Sequence, residues 1–176
     1  IRTDGSQIGR NAAAKGTGAW IIFDPFEIDF DKRISEAVAG GTVVHGDPGL
    51  ITSARCELTA VLSVVMFLVT NGWSREWPVT IELDNQAVVR KGSRQARWMT
   101  MDGEEAEERQ VDTEAGSRVE DWLGASDPDL WTELVAWRTK LDLALQWTPG
   151  HPERRTRNTS RWSESDWGNF KADALA

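Results

Sequence analysis

Four acidic residues occupy short sequence contexts that suit metal-ion chemistry: Asp4, Glu57, Asp84 and Asp173. Asp4 and Asp84 end β-rich apolar segments, Glu57 lies near the start of a long apolar helix, and Asp173 lies on a short terminal helix. Burying several carboxylates together is unfavourable unless cations neutralise them. Carboxylate oxygens are hard ligands that suit Mg²⁺ or Mn²⁺, and two such ions can together cleave a phosphodiester. We therefore predict that these four side chains hold two Mg²⁺ ions, for which Mn²⁺ can substitute.

His151 is the histidine whose surroundings suit catalysis. It lies between Gly150 and Pro152 in a loop, so its side chain can reach a site formed by other elements. An imidazole can exchange a proton near neutral pH, which is the property that a proton shuttle needs. The alternative is an exposed loop histidine without a catalytic part.

The elements that must position these groups begin with short strands. Residues 17–23 and 41–45 are β-rich and flanked by glycine, which predicts two strands in addition to the one that carries Asp4. The intervening residues 24–38 are ambiguous and allow a long hairpin with an irregular connection.

A helix is predicted from Ser53, as its N-cap, to about Thr70, with Asn71-Gly72 after it. Its apolar residues recur at helical spacing, and Glu57 lies at the margin of that stripe. Residues 79–83 predict a buried strand, and a short helix should run from Asn85 to about Arg90.

The C-terminal part predicts two more helices and one strand. Asp127 and Pro128 suit the cap and the first position of a helix whose inward stripe is Leu130, Leu134, Trp137 and Leu141. Residues 143–148 predict a strand, and residues 166–176 a terminal helix; Trp131, Trp137 and Trp147 are expected in the core. This order of elements indicates an α/β fold with a mixed sheet, first antiparallel and then parallel, flanked by helices.

Six fragments, in order along nearly the whole chain, resemble motifs of the ribonuclease H family. They are Asp4-Gly5-Ser6, Arg55-Cys56-Glu57-Leu58-Thr59-Ala60, Leu83-Asp84-Asn85-Gln86-Ala87-Val88, Asp129-Leu130-Trp131, Trp147-Thr148-Pro149-Gly150-His151, and residues 169–176. No fragment is specific alone, but their common order makes coincidence a poor explanation. The resemblance implies the ribonuclease H-like fold, with a mixed five-stranded sheet.

The resemblance also implies an activity and a set of site residues. The expected enzyme is a ribonuclease H, an endonuclease that hydrolyses the RNA strand of RNA–DNA hybrids with two metal ions. Asp4, Glu57, Asp84, Asp173 and His151 would be catalytic, and Ser6, Gln86 and Asn169 would bind substrate. The alternatives are another nuclease of this fold, an exonuclease or a resolvase, or a non-catalytic nucleic-acid-binding domain.

The negative charge of the chain is concentrated in one segment. The net charge is −8, but residues 99–129 hold eleven acids against two bases. The remainder has basic groups at residues 90–97 and 154–161 that suit a polyanion. Residues 99–127 have no sustained apolar period and predict an acidic insertion, in the place where many members of the family have a basic handle.

The remaining expectations concern the context of the chain. With 176 residues it fits one domain, residues 1–176, and its ends suggest a segment of a longer chain, such as a retroelement reverse transcriptase polyprotein. The expected partners are an RNA–DNA hybrid and covalently linked domains, with no membrane partner, since no apolar run reaches 18 residues. One cysteine favours a reducing compartment, so an intracellular location, in the cytoplasm or nucleus, is expected.

Overall fold

Five strands form one mixed sheet in the order β3-β2-β1-β4-β5. The computed structural model describes residues 1–9, 13–24, 26–99 and 126–176. The strands are β1 (Arg2–Ile8), β2 (Lys15–Ile22), β3 (Val38–Val44), β4 (Val79–Leu83) and β5 (Leu143–Trp147). The first three pair antiparallel, whereas β4 pairs parallel with both β1 and β5. The predicted mixed five-stranded sheet is thus confirmed.

Helices flank this sheet. They are α1 (Phe30–Ser35), α2 (Ser53–Thr70), α3 (Gln86–Met99), α4 (Pro128–Arg138), α5 (Pro152–Arg155) and α6 (Glu164–Leu175). The ambiguous stretch between β2 and β3 contains α1, which Asp29 caps by accepting a hydrogen bond from the Lys32 backbone. The acidic segment predicted at residues 99–127 lies almost entirely outside the described residues.

Helix α3 is longer than predicted, because a tertiary contact overrides a local breaker. Gly92 disfavours a helix interior, but here it lies against β5, where a Cβ atom would be 2.4 Å from Leu145 Cδ1. The Gly92 carbonyl also accepts a hydrogen bond from the buried guanidinium of Arg138, at 2.8 Å. A larger residue at this position would have to displace the Leu145 side chain, so glycine suits the close packing of α3 on β5.

One predicted helix cap is wrong, and a second is confirmed in position but makes no capping hydrogen bond. Thr52, not Ser53, caps α2, by accepting a hydrogen bond from the Arg55 backbone. Asp127 precedes α4 in the left-handed conformation, with φ 60°, and its side chain makes no capping hydrogen bond. Its carboxylate instead pairs with Arg55 on α2, so a long-range ion pair takes the group that the local pattern assigned to the cap.

Helix α2 packs against the sheet in the largest apolar core. Among the described residues, α2 is the one helix that is long and apolar enough to cross a membrane, with a mean hydropathy of 1.6. Half of this helix, however, is buried inside the fold. Its buried face belongs to the same core cluster as Ile81, Leu83, Leu134 and Leu145. The core helix of a globular fold has the same length, composition and burial.

The inward face of α4 differs in part from the predicted stripe. Trp131, Leu134 and Arg138 are buried, whereas Leu130 and Trp137 are only partly so. Trp131 is in the core as expected, but the expectation for Trp147 is wrong, since 43% of it is exposed at the end of β5.

Helix α6 packs on the sheet through small residues. A Cβ atom at Gly168 would be 2.3 Å from Arg2 Cγ, and Ala172 is buried against Ile21 and Phe23. Ser163 begins the helix with a capping box that it forms with Asp166. This packing places α6, which carries Asn169 and Asp173, beside β1.

Candidate metal centre

Asp4 and Glu57 approach each other because β1 and α2 are in unusually close contact. A Cβ atom at Gly5 would lie 2.2 Å from the backbone nitrogen of Glu57, so only glycine permits this approach. Asp4 lies within β1 and not at its end, which corrects the sequence-based expectation. Its carboxylate accepts a hydrogen bond of 2.7 Å from the Gly5 backbone, which fixes one of its oxygens.

Asp84 reaches the same place because β4 runs parallel to β1. Arg2 is in register with Glu82, so two residues further along Asp84 lies level with Asp4. Asp84 is the first residue after β4, as predicted, and it is half-buried. Parallel pairing therefore brings the two aspartates together although they are 80 positions apart in sequence.

The three carboxylates form a cluster that can hold a metal ion. One oxygen from each of Asp4, Glu57 and Asp84 lies within 4.8 Å of the others. Asp4 is 7% exposed and Glu57 is 1% exposed, and the buried Oε2 of Glu57 has no hydrogen-bond partner in the described structure. A buried carboxylate oxygen without a partner is costly, and a divalent cation would satisfy it. The donor set, made of hard oxygen ligands, fits Mg²⁺ or Mn²⁺.

The electrostatics of the cluster oppose its ionisation in the absence of cations. Burial, together with the nearby charge of Asp84, raises the pKa of Asp4 from its ordinary 3.8 to about 6. Burial, and then the charges of Asp4 and Asp84, raise the pKa of Glu57 well above its usual range. Both shifts indicate carboxylates that lack a positive partner.

Asp173 and His151 lie at the border of this cluster. Asp173 is not one of the three grouped carboxylates and its side chain is 41% exposed, but its charge contributes to the raised pKa of Asp4. His151 Nδ1 is 3.7 Å from Asp173 Oδ2 and 3.4 Å from Glu153 Oε1. The sequence had suggested that all four acids are buried together. Asp173 departs from this expectation, because it faces solvent beside His151.

The loop before His151 closes over Asp84. A Cβ atom at Gly150 would be only 1.9 Å from Asp84 Oδ2, so this glycine lies directly on the carboxylate. The Trp147 indole donates a hydrogen bond to the Asp84 carbonyl at 3.0 Å, and the Thr148 backbone donates to the Leu83 carbonyl at 3.0 Å. These contacts fix the end of β4 and the loop relative to each other.

The three residues predicted to bind substrate differ in their exposure. Ser6 is half-buried two residues after Asp4 on β1, and Gln86 is exposed in the first turn of α3. Asn169 is only 2% exposed, and its Oδ1 accepts a hydrogen bond of 2.9 Å from the His151 backbone. Asn169 thus positions the histidine loop in this structure, and contact of these residues with substrate stays a prediction.

Arg55 connects the cluster helix to the start of α4. Its guanidinium contacts Asp127 at 2.9 Å and Asp129 at 2.6 Å, and hydrogen bonds to Asp129 raise the pKa of Arg55 above its usual range. Because Arg55 lies two residues before Glu57, this ion pair fixes the first turn of α2. It also ties the end of the acidic segment to that turn.

Sequence reasoning did not assign a part to Gly150, Glu153 or Arg55. Gly150 and Arg55 lay inside the quoted motifs, but only three-dimensional packing shows what they touch. Glu153 could have been found from its position two residues after His151, since a carboxylate so close in sequence can reach an imidazole. Nothing in the local sequence indicates the ion pair of Arg55.

The structure resembles solved structures of ribonuclease H proteins. It matches LC9-RNase H1, described as a type 1 RNase H with the type 2 active-site motif, with a TM-score of 0.60 and 16% identity over 99% of this chain and 68% of that one. It also matches the protease-reverse transcriptase of prototype foamy virus, with a TM-score of 0.63 and 14% identity over 99% of this chain and 20% of the viral one.

A foamy viral protease-reverse transcriptase in complex with double-stranded DNA matches with a TM-score of 0.53 and 17% identity, over 99% of this chain and 88% of that one. No protein-family model matches the sequence, and no curated protein matches it significantly. These similarities show that the chain has the ribonuclease H fold, which confirms the fold expected from the sequence motifs.

Proposed function

We propose that this protein is a metal-dependent endonuclease that hydrolyses the RNA strand of RNA–DNA hybrids. The observation that carries the proposal is the carboxylate cluster of Asp4, Glu57 and Asp84, assembled by close packing and parallel register on a ribonuclease H fold. Buried carboxylates with raised pKa values destabilise the fold at neutral pH unless a cation neutralises them. A cation-binding site therefore explains their presence better than a purely structural domain would.

The metal ligands would be Asp4, Glu57 and Asp84, with Asp173 at the solvent side as the fourth. Bound divalent cations of this kind supply activation of a water molecule and stabilisation of the leaving 3′ oxygen of a phosphodiester. The chain itself contributes the fixed geometry: Gly5 sets the distance between β1 and α2, and Gly150 confines the carboxylate of Asp84.

His151 would exchange a proton with solvent or substrate at the edge of the site. Its Nδ1 faces the carboxylates of Glu153 and Asp173, which orient the ring. The hydrogen bond from its backbone to buried Asn169 holds the loop in place during this exchange. A group held in this way contributes less than the metal ligands do, because cations can activate water without it.

Selection of a hybrid requires contact with 2′-hydroxyls across the wide minor groove. Ser6 lies two residues after Asp4 on β1, and Gln86 lies two residues after Asp84 at the start of α3. Their hydroxyl and amide groups can donate and accept hydrogen bonds, as recognition of a 2′-hydroxyl needs. Within a longer parent protein, linked domains would supply further substrate contacts.

One gel assay tests the proposal. End-labelled RNA–DNA hybrid, duplex RNA and duplex DNA are incubated with the protein in Mg²⁺, in Mn²⁺ and in EDTA. We expect internal cleavage of the RNA strand of the hybrid, with either metal and not in EDTA. Asp84→Asn should reduce the rate more than ~10²-fold, the scale of electrostatic stabilisation at such sites. Glu76→Gln, at an exposed acid on the α2–β4 connection, is the matched control and should cleave normally.

The same gel separates the alternatives. Products released stepwise from an end indicate an exonuclease, and cleavage of branched or duplex DNA indicates a resolvase-like specificity. Binding of hybrid without any cleavage in either metal contradicts the proposal and indicates a nucleic-acid-binding domain. Cleavage by the Asp84→Asn variant at the wild-type rate contradicts the assignment of the site.

A further inference from the structure

Next to the histidine loop lies a basic surface that the proposed chemistry does not use. Residues 154–161, here called the arginine strap, contain Arg154, Arg155, Arg157 and Arg161 and no acid. All four arginines are exposed. The strap begins within α5, whose first residue follows His151, so it continues directly from the border of the carboxylate cluster.

Contacts of Trp162, Arg155 and Asn158 hold the strap in a defined shape. Trp162 is 8% exposed, packs against Trp167 and Phe170 of α6, and its indole donates a hydrogen bond of 3.1 Å to the Thr156 carbonyl. Arg155 pairs with Asp166 in the first turn of α6. Asn158 accepts a hydrogen bond from the Ser160 backbone. Tryptophan packing and one ion pair therefore fix the backbone of the strap.

The other arginines are available for a ligand. Arg154 contacts only the neighbouring Glu153, at 3.8 Å, with 73% of its side chain exposed. Arg157 and Arg161 make no ion pair with any residue of the described ranges. Ordered backbone that presents unpaired guanidinium groups suits phosphates, because the planar fork of arginine binds phosphate oxygens and its charge releases condensed counterions.

The strap lies at a distance from the site that a duplex can span. Arg157 is six positions after His151, so their Cα atoms are at most about 22 Å apart. A duplex rises 3.4 Å per base pair along one strand, so this is a reach of about six base pairs or fewer. We infer that the arginine strap binds the backbone phosphates of the nucleic-acid duplex beside the cleavage position, with Arg157 and Arg161 as its principal contacts. The inference rests on the proposed function for the identity of the duplex.

The binding experiment uses the whole chain and a fluorescently labelled RNA–DNA hybrid in EDTA, so that metal-dependent cleavage does not occur. Anisotropy titrations at several salt concentrations give Kd and its salt dependence. Arg157→Ala with Arg161→Ala should weaken binding at least tenfold at low salt and reduce the slope of log K against log salt by about two, one for each lost phosphate contact. Arg157→Lys with Arg161→Lys should keep most of the slope, because it keeps the charge.

Arg75→Ala is the matched control, since Arg75 is exposed on the connection after α2, at the other end of that helix from Glu57. It should leave both Kd and slope unchanged. Thermal unfolding of each variant at the wild-type midpoint shows that the fold is intact. A Kd and a salt slope equal to those of the wild type in the double alanine variant overturn the inference.

The inference and the proposed function fail in different ways. If the wild-type protein cleaves hybrid and the double alanine variant binds as tightly as the wild type, the strap is a solvated surface and the nuclease proposal stands. If no variant cleaves any substrate but the double alanine variant loses affinity and slope, the strap binds nucleic acid and the nuclease proposal fails.

Discussion

At the residue scale, the carboxylate cluster lowers the stability of the metal-free fold at neutral pH, and the same three carboxylates could hold a cation. Asp4 and Glu57 are buried with raised pKa values, so their ionised forms are disfavoured in the folded state and not in the unfolded chain. A carboxyl with a raised pKa in the folded state stabilises the fold at low pH, where it is protonated. This stability is lost as the pH rises through the folded-state pKa.

Asp4→Asn should therefore stabilise the metal-free protein at neutral pH. The pKa of Asp4 rises from 3.8 to about 6 on folding, so its ionisation costs about 3 kcal/mol of unfolding free energy above pH 6. The amide removes the charge, and we expect a gain of about 1–3 kcal/mol at pH 8 that disappears near pH 4. Denaturant unfolding in EDTA at both pH values measures it.

Mg²⁺ provides the control for this prediction. The cation should raise the stability of the wild type by binding to the folded state, and it should do so less for Asp4→Asn, which lacks one ligand. A variant that is less stable than the wild type at pH 8 in EDTA would show that the Asp4 carboxylate is not under electrostatic strain.

His151→Ala should slow hydrolysis without abolishing it. Metal ions can activate water unaided, so a proton shuttle adds about 10- to 10²-fold. The defect should shrink as pH rises, because hydroxide replaces the shuttle. His45→Ala is the matched control, since this second histidine is exposed after β3. Rates from pH 6 to pH 9 test the prediction, and complete inactivity of His151→Ala at every pH, with the fold intact, contradicts it.

The acids of the site could be predicted from sequence because each lies in a context that restricts its neighbours. Asp84 follows a buried strand, and Glu57 lies near the start of a long apolar helix. The depth of each acid could not be predicted, since it depends on which elements cover it. Glu57 is fully buried, whereas Asp173 faces solvent beside His151.

At the element scale, the loop between β5 and α5 and the end of β4 are built to fit each other. Gly150 lies on the Asp84 carboxylate, and Trp147 donates to the Asp84 carbonyl. The loop therefore restricts the orientation of the Asp84 carboxylate, one of the proposed metal ligands. The sequence motif indicated the loop but not this contact, because the two segments are distant in sequence.

Gly150→Ala should impair the site more than the fold. The added Cβ would be 1.9 Å from Asp84 Oδ2, so either the carboxylate or the loop must shift. We expect hydrolysis to fall at least tenfold while unfolding free energy changes by about 1–3 kcal/mol, the usual cost of overpacking. Gly41→Ala, whose Cβ would have 3.5 Å to its nearest atom, is the matched control. Wild-type hydrolysis by Gly150→Ala would show that the loop moves freely.

Most element positions followed from hydrophobic periodicity, whereas the end of α3 and the capping of α4 did not. The strand at residues 79–83 and the extent of α2 agree with their patterns. Helix α3 continues past Gly92, which lies against Leu145, and Asp127 occupies the predicted cap position of α4 but pairs its side chain with Arg55. Both differences arise from contacts between segments that are far apart in sequence, which a local pattern does not contain.

At the scale of the whole molecule, the distribution of charge should govern affinity for nucleic acid. The arginine strap offers positive charge near the site, while the net charge of the chain is −8. Most of the excess acid lies in residues 99–127, where seven acids and two bases fall between Gly103 and Glu120. Affinity for a polyanion depends on phosphate contacts and counterion release, so these acids should oppose binding.

Replacement of residues 103–120 by a short Gly-Ser linker should tighten binding of an RNA–DNA hybrid at low salt and steepen its salt dependence. The reason is electrostatic, because the replacement removes more negative than positive charge while it leaves Asp127 and Asp129 to pair with Arg55. A second variant with the full-length segment and glutamine in place of its glutamates separates charge from length. Anisotropy titrations at several salt concentrations measure both variants. If both bind with the wild-type Kd and the wild-type salt slope, the segment is a solvated linker remote from the substrate, and it does not regulate binding.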